Sequence, residues 1–360
     1  MSIHFRKLVI KELRKETADC VSVLFEIPDG IKKDFAFKQG QSLTMRTFLN
    51  GEEVRRTYSI CSSPLDNEWR VAIKKQEGGL FSNFANDQLN AGDLLEVMPP
   101  VGKFYTELDP SKRKNYVAFA AGSGITPVIS IIETTLRTEP KSQFTLVYGN
   151  RNKNSIIFKE ELEGLKDKFI DRFRIIHILS RERTDAPINS GRVDLEKLNQ
   201  LSKLINYKTV EEFFICGPEE MIFCVKDFLE SIGIDKRNIH FELFTTPGEE
   251  AKTKVKRGKS KTQESGARSK ITVKLDGISF DFELGMNDVP ILDAALKQGA
   301  DLPFACKGGV CCTCKARLIQ GEVDMEVHWG LEEEEIEQGY ILTCQSHPKT
   351  ETVVVDFDIK

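Results

Sequence analysis

The chain has 360 residues, of which 40% are hydrophobic and 29% charged, and its formal net charge is −4. That length exceeds one ordinary domain, so we expect two or three domains. No apolar run approaches the roughly 18 residues that span a bilayer, and the N-terminus has no apolar signal-peptide core. Nine cysteines, four of them at metal-ligand spacing, favour a reducing cytoplasm over secretion.

The first 108 residues predict an antiparallel β-barrel. Short segments of alternating hydrophobicity, separated by turn-rich stretches, have the spacing of strands in a small barrel. They include residues 8–10, 21–25 and 69–73.

Four consecutive residues at the end of a predicted barrel strand have the chemistry of a flavin site: Arg56, Thr57, Tyr58 and Ser59. The Tyr58 ring can stack on an isoalloxazine, the Ser59 hydroxyl can meet its N5 atom, and the Arg56 cation can meet the pyrophosphate. An Arg-Tyr pair in a strand is more often structural, so the motif gains weight only from the glycine turn and the α/β domain after it.

The glycine turn leads into a predicted helix. Free N–H groups at a helix N-terminus can hold phosphate. The candidate residues here are Gly79, Leu80, Phe81 and Ser82, with Ile73 in the preceding strand as a further contact.

Residues 112–246 predict a parallel α/β sheet. Strand-like apolar runs at 116–120, 144–148, 174–179 and 212–216 are separated by segments of helical length, such as 128–136. Alternating strands and helices are typical of a parallel sheet with helical crossovers.

Two short motifs come directly after strands of this predicted sheet. The first is Gly122-Ser123-Gly124-Ile125-Thr126-Pro127, called here the dinucleotide turn; it is not a full G-x-G-x-x-G, but it lies between the first strand and a helix. The second is Cys216-Gly217-Pro218, at the edge where a nicotinamide would lie. By itself, Cys216 would be a buried core thiol.

Several residues near neighbouring strand ends favour NADPH over NADH. Ser180 and Arg181 end one strand, while Arg151 and Arg192 lie in nearby loops. Cations and hydroxyls bind an adenosine 2′-phosphate, whereas NADH sites place an acid at the ribose. A solvated basic face is the alternative.

The last part of the chain is strongly asymmetric in charge. Residues 248–270 hold 8 Lys and Arg against 3 Asp and Glu, and residues 271–360 hold 7 against 17. Residues 247–270 predict a flexible charged linker. The acidic end after the linker is either a docking surface for a basic partner or a solvated surface. It opens with a predicted β-hairpin around Asp276-Gly277 and continues with a short helix near 291–298 and a strand at 352–357.

Cys306, Cys311 and Cys314 form a C-x4-C-x2-C run, with Cys344 further along the chain. This is the ligand spacing of a plant-type [2Fe–2S] ferredoxin. A structural zinc site with four cysteine ligands is the alternative, although such sites usually take two separated C-x2-C pairs. Cys312 breaks the spacing, and we expect a bystander or a redox-sensitive thiol there.

Together and in this order, these motifs resemble the ferredoxin–NADP⁺ reductase superfamily with a C-terminal plant-type ferredoxin domain. The stretch 306–344 is also similar to the reductase subunits of phenylacetyl-CoA epoxidases. The resemblance implies an FAD-binding barrel (1–108), an NADP-binding α/β domain (112–246), a linker (247–270) and a β-grasp [2Fe–2S] domain (271–360). It places Tyr58 and Ser59 on the flavin ring and Thr126 and Cys216 near the nicotinamide–flavin contact, and these four residues are the expected catalytic set. Where plant reductases end in a tyrosine that covers the flavin, this chain has Phe-Glu-Leu-Phe at 241–244.

The resemblance implies an NAD(P)H-dependent reductase that passes electrons through FAD and a [2Fe–2S] cluster to an oxygenase. The expected acceptor is phenylacetyl-CoA epoxidase, in phenylacetate catabolism. A reductase of another oxygenase, desaturase or hydroxylase is an alternative, and so is a flavin iron–sulfur redox sensor. We expect a cytoplasmic monomer or weak oligomer whose partner is a one-electron acceptor protein, with no nucleic acid and no membrane span.

Overall fold

The computed structural model describes residues 4–244, 268–286 and 288–359. It divides into two compact units, Met1–Phe244 and Thr245–Lys360. Most of the predicted linker, up to residue 267, lies outside the described residues. The first strand of the second unit begins at Arg268, slightly before the predicted start of the last domain at 271.

The first sheet consists of β1 (Arg6–Thr17), β2 (Cys20–Glu26), β3 (Ser42–Leu49), β4 (Glu52–Ser59), β5 (Trp69–Lys74) and β6 (Leu94–Val97), with helix α1 (Leu80–Asp87) after β5. Its antiparallel strands lie in the order β4-β3-β6-β1-β2-β5 around one hydrophobic core. Ile60, just after β4, bridges to Val71 in β5. The two ends of the sheet therefore meet, and the structure confirms the predicted barrel.

The second sheet consists of β7 (Asn115–Ala121), β8 (Gln143–Asn150), β9 (Phe173–Leu179), β10 (Glu212–Gly217) and β11 (Ile239–Leu243). Its helices are α2 (Ile125–Thr138), α3 (Lys159–Lys168), α4 (Leu195–Leu201) and α5 (Glu219–Ser231). All five strands are parallel, in the order β11-β10-β7-β8-β9. The parallel α/β prediction is confirmed, with β11 added to the predicted strands. Because parallel strands end at one edge, the predicted dinucleotide motifs all lie along that edge.

Helix α2 joins the barrel to the parallel sheet through a buried polar stripe. The Ser130 hydroxyl donates to the carbonyl oxygen of Ser62 at 2.7 Å, and the hydroxyls of Ser63 and Thr134 are 2.9 Å apart. Residues 62 and 63 come shortly after the flavin motif of β4, and α2 begins within the dinucleotide turn. The two candidate cofactor regions of this unit are therefore fixed to each other.

The second unit contains β12 (Arg268–Leu275), β13 (Ile278–Gly285), α6 (Ile291–Lys297), β14 (Lys315–Gln320), β15 (Val323–Met325), α7 (Glu333–Glu337), β16 (Tyr340–Leu342), β17 (Ser346–Pro348) and β18 (Thr352–Asp356). Five strands form a mixed sheet in the order β13-β12-β18-β14-β16, and β15 pairs with β17. Asp276 and Gly277 have φ of 50° and 75°, as the predicted two-residue hairpin turn requires. Across the described ranges, no helix is long and apolar enough to cross a membrane.

Candidate functional site

The flavin motif lies at the end of β4, beside helix α1. The ring of Tyr58 packs on that of Phe81 with centroids 5.7 Å apart and a tilt of 34°, and burial raises the pKa of Tyr58. Arg56 Nη1 donates to the carbonyl oxygen of Arg55 at 2.7 Å, which fixes the direction of its side chain. Tyr58 and Arg56 both remain partly exposed, so each has surface left for a ligand.

Three other candidates turn toward protein. The Thr57 hydroxyl lies 3.0 Å from that of Thr44 on the neighbouring strand. Ile73 and Phe81 are 0% and 1% exposed within the barrel core. Their side chains stabilise the barrel, and the carbonyl oxygen of Ile73 already accepts from Asn86 Nδ2 at 3.0 Å.

The conformation of the glycine turn before α1 depends on the Ser82 side chain, which the sequence did not indicate. Its hydroxyl accepts from the N–H of Gln76 at 3.1 Å and donates to the carbonyl oxygen of Gly79 at 3.4 Å. The hydroxyl therefore closes the turn. The first N–H groups of α1, from Leu80 onward, are the donors left for phosphate.

A hydroxyl–carboxyl pair joins the barrel to the parallel sheet. Ser59 Oγ donates to Oε2 of Glu242 at 3.1 Å, and Glu242 on β11 lies in register with Cys216 on β10. Burial raises the pKa of Glu242 to about 7, although the hydrogen bond from Ser59 acts in the opposite direction. Cys216 is fully buried, and burial, followed by the charge of Glu242, raises the pKa of its thiol.

Sequence reasoning identified Ser59 and Cys216 but assigned no role to Glu242. The available signal was an acidic residue between the apolar residues Phe241 and Leu243, just before the charged linker. Such a residue is expected to be paired when it is buried.

The dinucleotide turn packs directly against the end of β10. A Cβ atom on Gly124 would lie 2.1 Å from the carbonyl oxygen of Cys216, so only glycine fits there. The Tyr148 hydroxyl donates to the carbonyl oxygen of Gly122 at 3.0 Å, and Gly122 has a φ of 54°. The structure thus brings together the two nicotinamide motifs that lie far apart in the sequence.

The remaining residues of the two motifs lie in the dinucleotide turn and at the junction of β10 and α5. The Thr126 hydroxyl donates to the carbonyl oxygen of Ser123 at 3.0 Å. A Cβ on Gly217 would lie 2.7 Å from Cε of Met221, and Pro218 is exposed at the start of α5.

The candidate adenosine residues meet where β8 and β9 end. The N–H of Arg181 donates to the carbonyl oxygen of Arg151 at 2.8 Å, and the N–H of Ser180 donates to that of Asn150 at 2.9 Å. The bond from Gly191 N–H to the carbonyl oxygen of Leu179 holds the segment of Arg192 beside them. Arg151, Arg181 and Arg192 are exposed, and among the described residues their guanidinium groups have no partner.

Two acidic side chains also lie in this region, Glu182 and Asp185, and the first of them is engaged. Both carboxylate oxygens of Glu182 contact Lys153, one at 2.8 Å from its N–H and the other at 3.3 Å from Nζ. The N–H bond lowers the pKa of Glu182. Because both of its oxygens contact Lys153, the Glu182 carboxylate is not available to accept hydrogen bonds from the ribose hydroxyls of NADH.

The four cysteines predicted as ligands come together in two pairs. The N–H of Cys306 points at Cys311 Sγ at 3.5 Å, and the nearby Cys314 thiol raises the pKa of the Cys344 thiol. The hydrogen bond from Cys306 lowers the pKa of the Cys311 thiol. The N–H of Gly308 points at Cys306 Sγ at 3.3 Å. Sulfur donors in two adjacent pairs, with a backbone N–H directed at sulfur, fit a cluster of two irons.

Neighbouring residues fix this loop. Gln345 Nε2 donates to the carbonyl oxygen of Lys307 at 2.7 Å. A Cβ on Gly309 would lie 2.5 Å from the carbonyl oxygen of Val327. Cys312 Sγ lies 2.5 Å from the carbonyl oxygen of Gly330, and burial raises the pKa of this thiol to about 12.

Comparisons with known proteins agree with this arrangement. Three family models match successive parts of the chain: an oxidoreductase FAD-binding domain (7–105), an oxidoreductase NAD-binding domain (119–227) and a 2Fe-2S iron-sulfur cluster binding domain (273–349). The chain is 46% identical to a subunit of 1,2-phenylacetyl-CoA epoxidase from Escherichia coli (strain K12), over 99% of this chain and 98% of that protein. It is 32% identical to the ferredoxin reductase component of 3-ketosteroid-9-alpha-monooxygenase from Rhodococcus rhodochrous, over 97% and 96%. The fold of phthalate dioxygenase reductase superposes with a TM-score of 0.58 at 24% identity, covering 98% of both chains.

The three domains define an NAD(P)H-dependent flavin iron–sulfur oxidoreductase with FAD, NAD(P)H and a [2Fe–2S] cluster as cofactors. The chain belongs to the ferredoxin–NADP⁺ reductase superfamily, in the family of reductases with a C-terminal [2Fe–2S] domain that includes these relatives. The predicted family and cofactors are confirmed.

Proposed function

We propose that this chain is the cytoplasmic reductase component of a phenylacetyl-CoA epoxidase system and that it takes its electrons from NADPH. The choice of acceptor is supported by the 46% identity to the Escherichia coli epoxidase subunit along nearly the whole chain. The identity to the steroid monooxygenase reductase is 32%. The oxygenase is the electron acceptor in this proposal, and the reductase itself is a monomer or weak oligomer.

In this proposal the chain consists of an FAD-binding barrel at 1–108, an NADP-binding domain at 112–246, a linker at 247–270 and a [2Fe–2S] domain at 271–360. Bound FAD supplies the exchange between a two-electron hydride and single electrons. Arg56 would hold the pyrophosphate, and Tyr58 would cover the ring. The remaining groups would be held by residues of the barrel strands, Thr57 and Ile73, and by the backbone of the turn, at Gly79, Leu80, Phe81 and Ser82.

The Ser59–Glu242 pair handles protons in this proposal. A hydride carries no separate proton, whereas single electrons leave a proton behind, so a redox centre of this kind needs a nearby proton acceptor. A carboxyl group with a pKa of about 7 exchanges protons readily near neutrality. Glu242 would take or give the proton, and the Ser59 hydroxyl would stand between Glu242 and the ring.

The dinucleotide turn and the end of β10 would hold the nicotinamide. Gly124 lets the turn approach Cys216, and Tyr148 fixes the carbonyl oxygen of Gly122. Thr126 and the edge formed by Cys216-Gly217-Pro218 would then set the position of the nicotinamide ring. Positioning of this kind is the main means by which a protein speeds a transfer between two bound groups.

NADPH is favoured over NADH because three exposed arginines lie where the adenosine would bind. None of their guanidinium groups has a partner among the described residues. Arg151, Arg181 and Arg192 would supply the cations that a 2′-phosphate needs, and the Ser180 hydroxyl, which here donates to the carbonyl oxygen of Asn150 at 3.4 Å, would turn to the phosphate. Of the two nearby acids, Glu182 and Asp185, Glu182 is engaged by Lys153. Cys306, Cys311, Cys314 and Cys344 would hold the cluster.

The experiment that tests the acceptor is a reconstitution with two oxygenases. The purified reductase and NADPH are combined with the oxygenase subunits of a phenylacetyl-CoA epoxidase, or with the oxygenase component of a 3-ketosteroid 9α-monooxygenase. We expect NADPH consumption coupled to epoxide formation only in the first mixture. Equal or better coupling to the steroid oxygenase would contradict the proposal. If electrons reach neither oxygenase while partner binding depends on redox state, a redox sensor is the better description.

A further inference from the structure

A buried lysine supports the loop that carries the candidate 2′-phosphate residues. We call residues 180–192 the arginine loop, because it contains Arg181, Arg183 and Arg192. Its ends are tied to the sheet by the backbone bonds already described. Its middle forms a 3₁₀ turn, Pro187–Asn189, with no buried residue of its own. The turn therefore depends on contacts from outside the loop for its position.

Lys197 on α4 supplies such contacts. Its Nζ atom donates to the carbonyl oxygens of Pro187 and Ile188, each at 3.0 Å, and to Oε1 of Gln200 at 3.0 Å. These three bonds use all the donors of an ammonium group. The residue is 5% exposed, and it makes no ion pair with any described carboxylate. Burying a cation against neutral acceptors alone costs free energy. We therefore expect these hydrogen bonds to serve a function, such as holding the turn in place.

A second side chain holds the same turn from the sheet side. Asn189 Nδ2 donates to the carbonyl oxygen of His177 on β9 at 2.7 Å. Inside the loop, the hydroxyls of Thr184 and Ser190 are 2.5 Å apart. The turn is therefore held from α4 and from β9, while the side chains of Arg181 and Arg192 on either side of it stay exposed.

We propose that Lys197 is a positioning residue for recognition of the adenosine 2′-phosphate: by holding the 187–189 turn, it fixes the arginine loop in the arrangement that binds NADPH in preference to NADH. This inference rests on the proposed use of NADPH. The physical basis is preorganisation. A loop that is ordered before binding does not lose conformational entropy when the phosphate arrives, and the buried cation adds positive potential beside the loop.

The test is calorimetric titration of the full-length holoenzyme with adenosine 2′,5′-bisphosphate and with 5′-AMP. The two probes differ only in the 2′-phosphate. The variants are Lys197→Met, which keeps the length of the side chain but removes its donors, and Lys203→Met. Lys203 is an exposed lysine just beyond α4, so the second variant removes the same charge without touching the turn. Thermal unfolding of each variant reports whether it is folded.

For Lys197→Met we expect affinity for the bisphosphate to fall about 10-fold, with affinity for 5′-AMP within about 2-fold of the wild type. The KM for NADPH should rise in parallel, while kcat at saturating NADPH and the KM for NADH stay close to wild-type values. Lys203→Met should bind both probes as the wild type does. If Lys197→Met does not fold, Asn189→Ala releases the same turn from β9 and should produce the same selective loss.

Two results would overturn the inference alone. One is unchanged bisphosphate affinity in Lys197→Met and Asn189→Ala, with the wild type still preferring the bisphosphate. The other is an equal loss for both probes, which would mark a merely structural role. If wild-type protein binds both probes equally, the proposed use of NADPH fails, and the role of Lys197 fails with it.

Discussion

The hydroxyl of Ser59 donates a hydrogen bond to Oε2 of Glu242 at 3.1 Å. Ser59 ends a barrel strand, and Glu242 lies on β11 of the parallel sheet, in register with Cys216. The contact therefore joins the candidate flavin motif to the candidate nicotinamide motif. It also places a carboxyl group with a pKa of about 7 between them.

The substitution Glu242→Gln should change the pH dependence of turnover. Burial stabilises the protonated carboxyl, so Glu242 ionises near pH 7 instead of near its ordinary value of 4.5. We expect the NADPH–ferricyanide kcat of the wild type to show a midpoint close to pH 7. The variant should lose that midpoint, with kcat about 100-fold lower, as expected for loss of a proton-transfer group. Ser59→Ala should move the midpoint to higher pH, because the Ser59 hydrogen bond lowers the pKa of Glu242.

Thermal unfolding provides an independent check of the same pKa. A raised carboxyl pKa contributes stability that is fully present below the unfolded pKa and is lost as the pH rises through the folded value. The neutral amide of Glu242→Gln does not ionise. The Tm of the variant minus that of the wild type should therefore become more positive from about pH 4.5, the ordinary carboxyl pKa, to about pH 7, the folded pKa, and should level off above it. A difference that is constant with pH would contradict the assignment.

The substitution Gly124→Ala should weaken binding of NADPH and lower the stability of the protein. The new Cβ would lie 2.1 Å from the carbonyl oxygen of Cys216, so backbone on one side must shift. Overpacking of this kind costs about 1–3 kcal/mol, measurable by thermal unfolding, and the KM for NADPH should rise. Gly30→Ala is the matched control, because a Cβ there meets nothing within 4 Å. Wild-type kinetics and stability in Gly124→Ala would refute the close approach.

Arg181→Ala should raise the KM for NADPH by about 10-fold or more while leaving that for NADH nearly unchanged, because a charged hydrogen bond to phosphate contributes about 1.5–3 kcal/mol. Steady-state kinetics with both nucleotides measure this. Arg113→Ala, another exposed arginine, controls for the loss of one positive charge. An equal effect on both nucleotides would remove the 2′-phosphate role of Arg181.

Local patterns predicted much of the fold. The Asp276-Gly277 hairpin, the alternating strand and helix runs of 112–246 and the barrel strands can be derived from short-range signals, and the structure contains them. The cysteine spacing likewise predicted a cluster domain, because ligands from one loop need a fixed separation along the chain.

Other features depend on which strands become neighbours, and no local pattern contains that information. The order β11-β10-β7 places Cys216 beside both Ala120 and Glu242, so the acidic partner of Ser59 emerges only in three dimensions. Ser82 was predicted to bind phosphate, yet its hydroxyl closes the turn by bonds to Gln76 and Gly79. Lys197 has the sequence pattern of a surface lysine on a helix, and only the folded loop reveals its two carbonyl acceptors, at Pro187 and Ile188.

The central claim is that electrons leave the flavin through the cluster held by Cys306, Cys311, Cys314 and Cys344. Its most direct test compares Cys311→Ser with Cys312→Ser, two adjacent thiols of which only the first belongs to the predicted ligand set. Each variant is assayed with NADPH for reduction of cytochrome c, which accepts single electrons from the cluster, and of ferricyanide, which reoxidises flavin directly. We predict that Cys311→Ser loses cytochrome c reduction and keeps ferricyanide reduction, while Cys312→Ser keeps both. Cytochrome c reduction at the wild-type rate in Cys311→Ser would contradict the account.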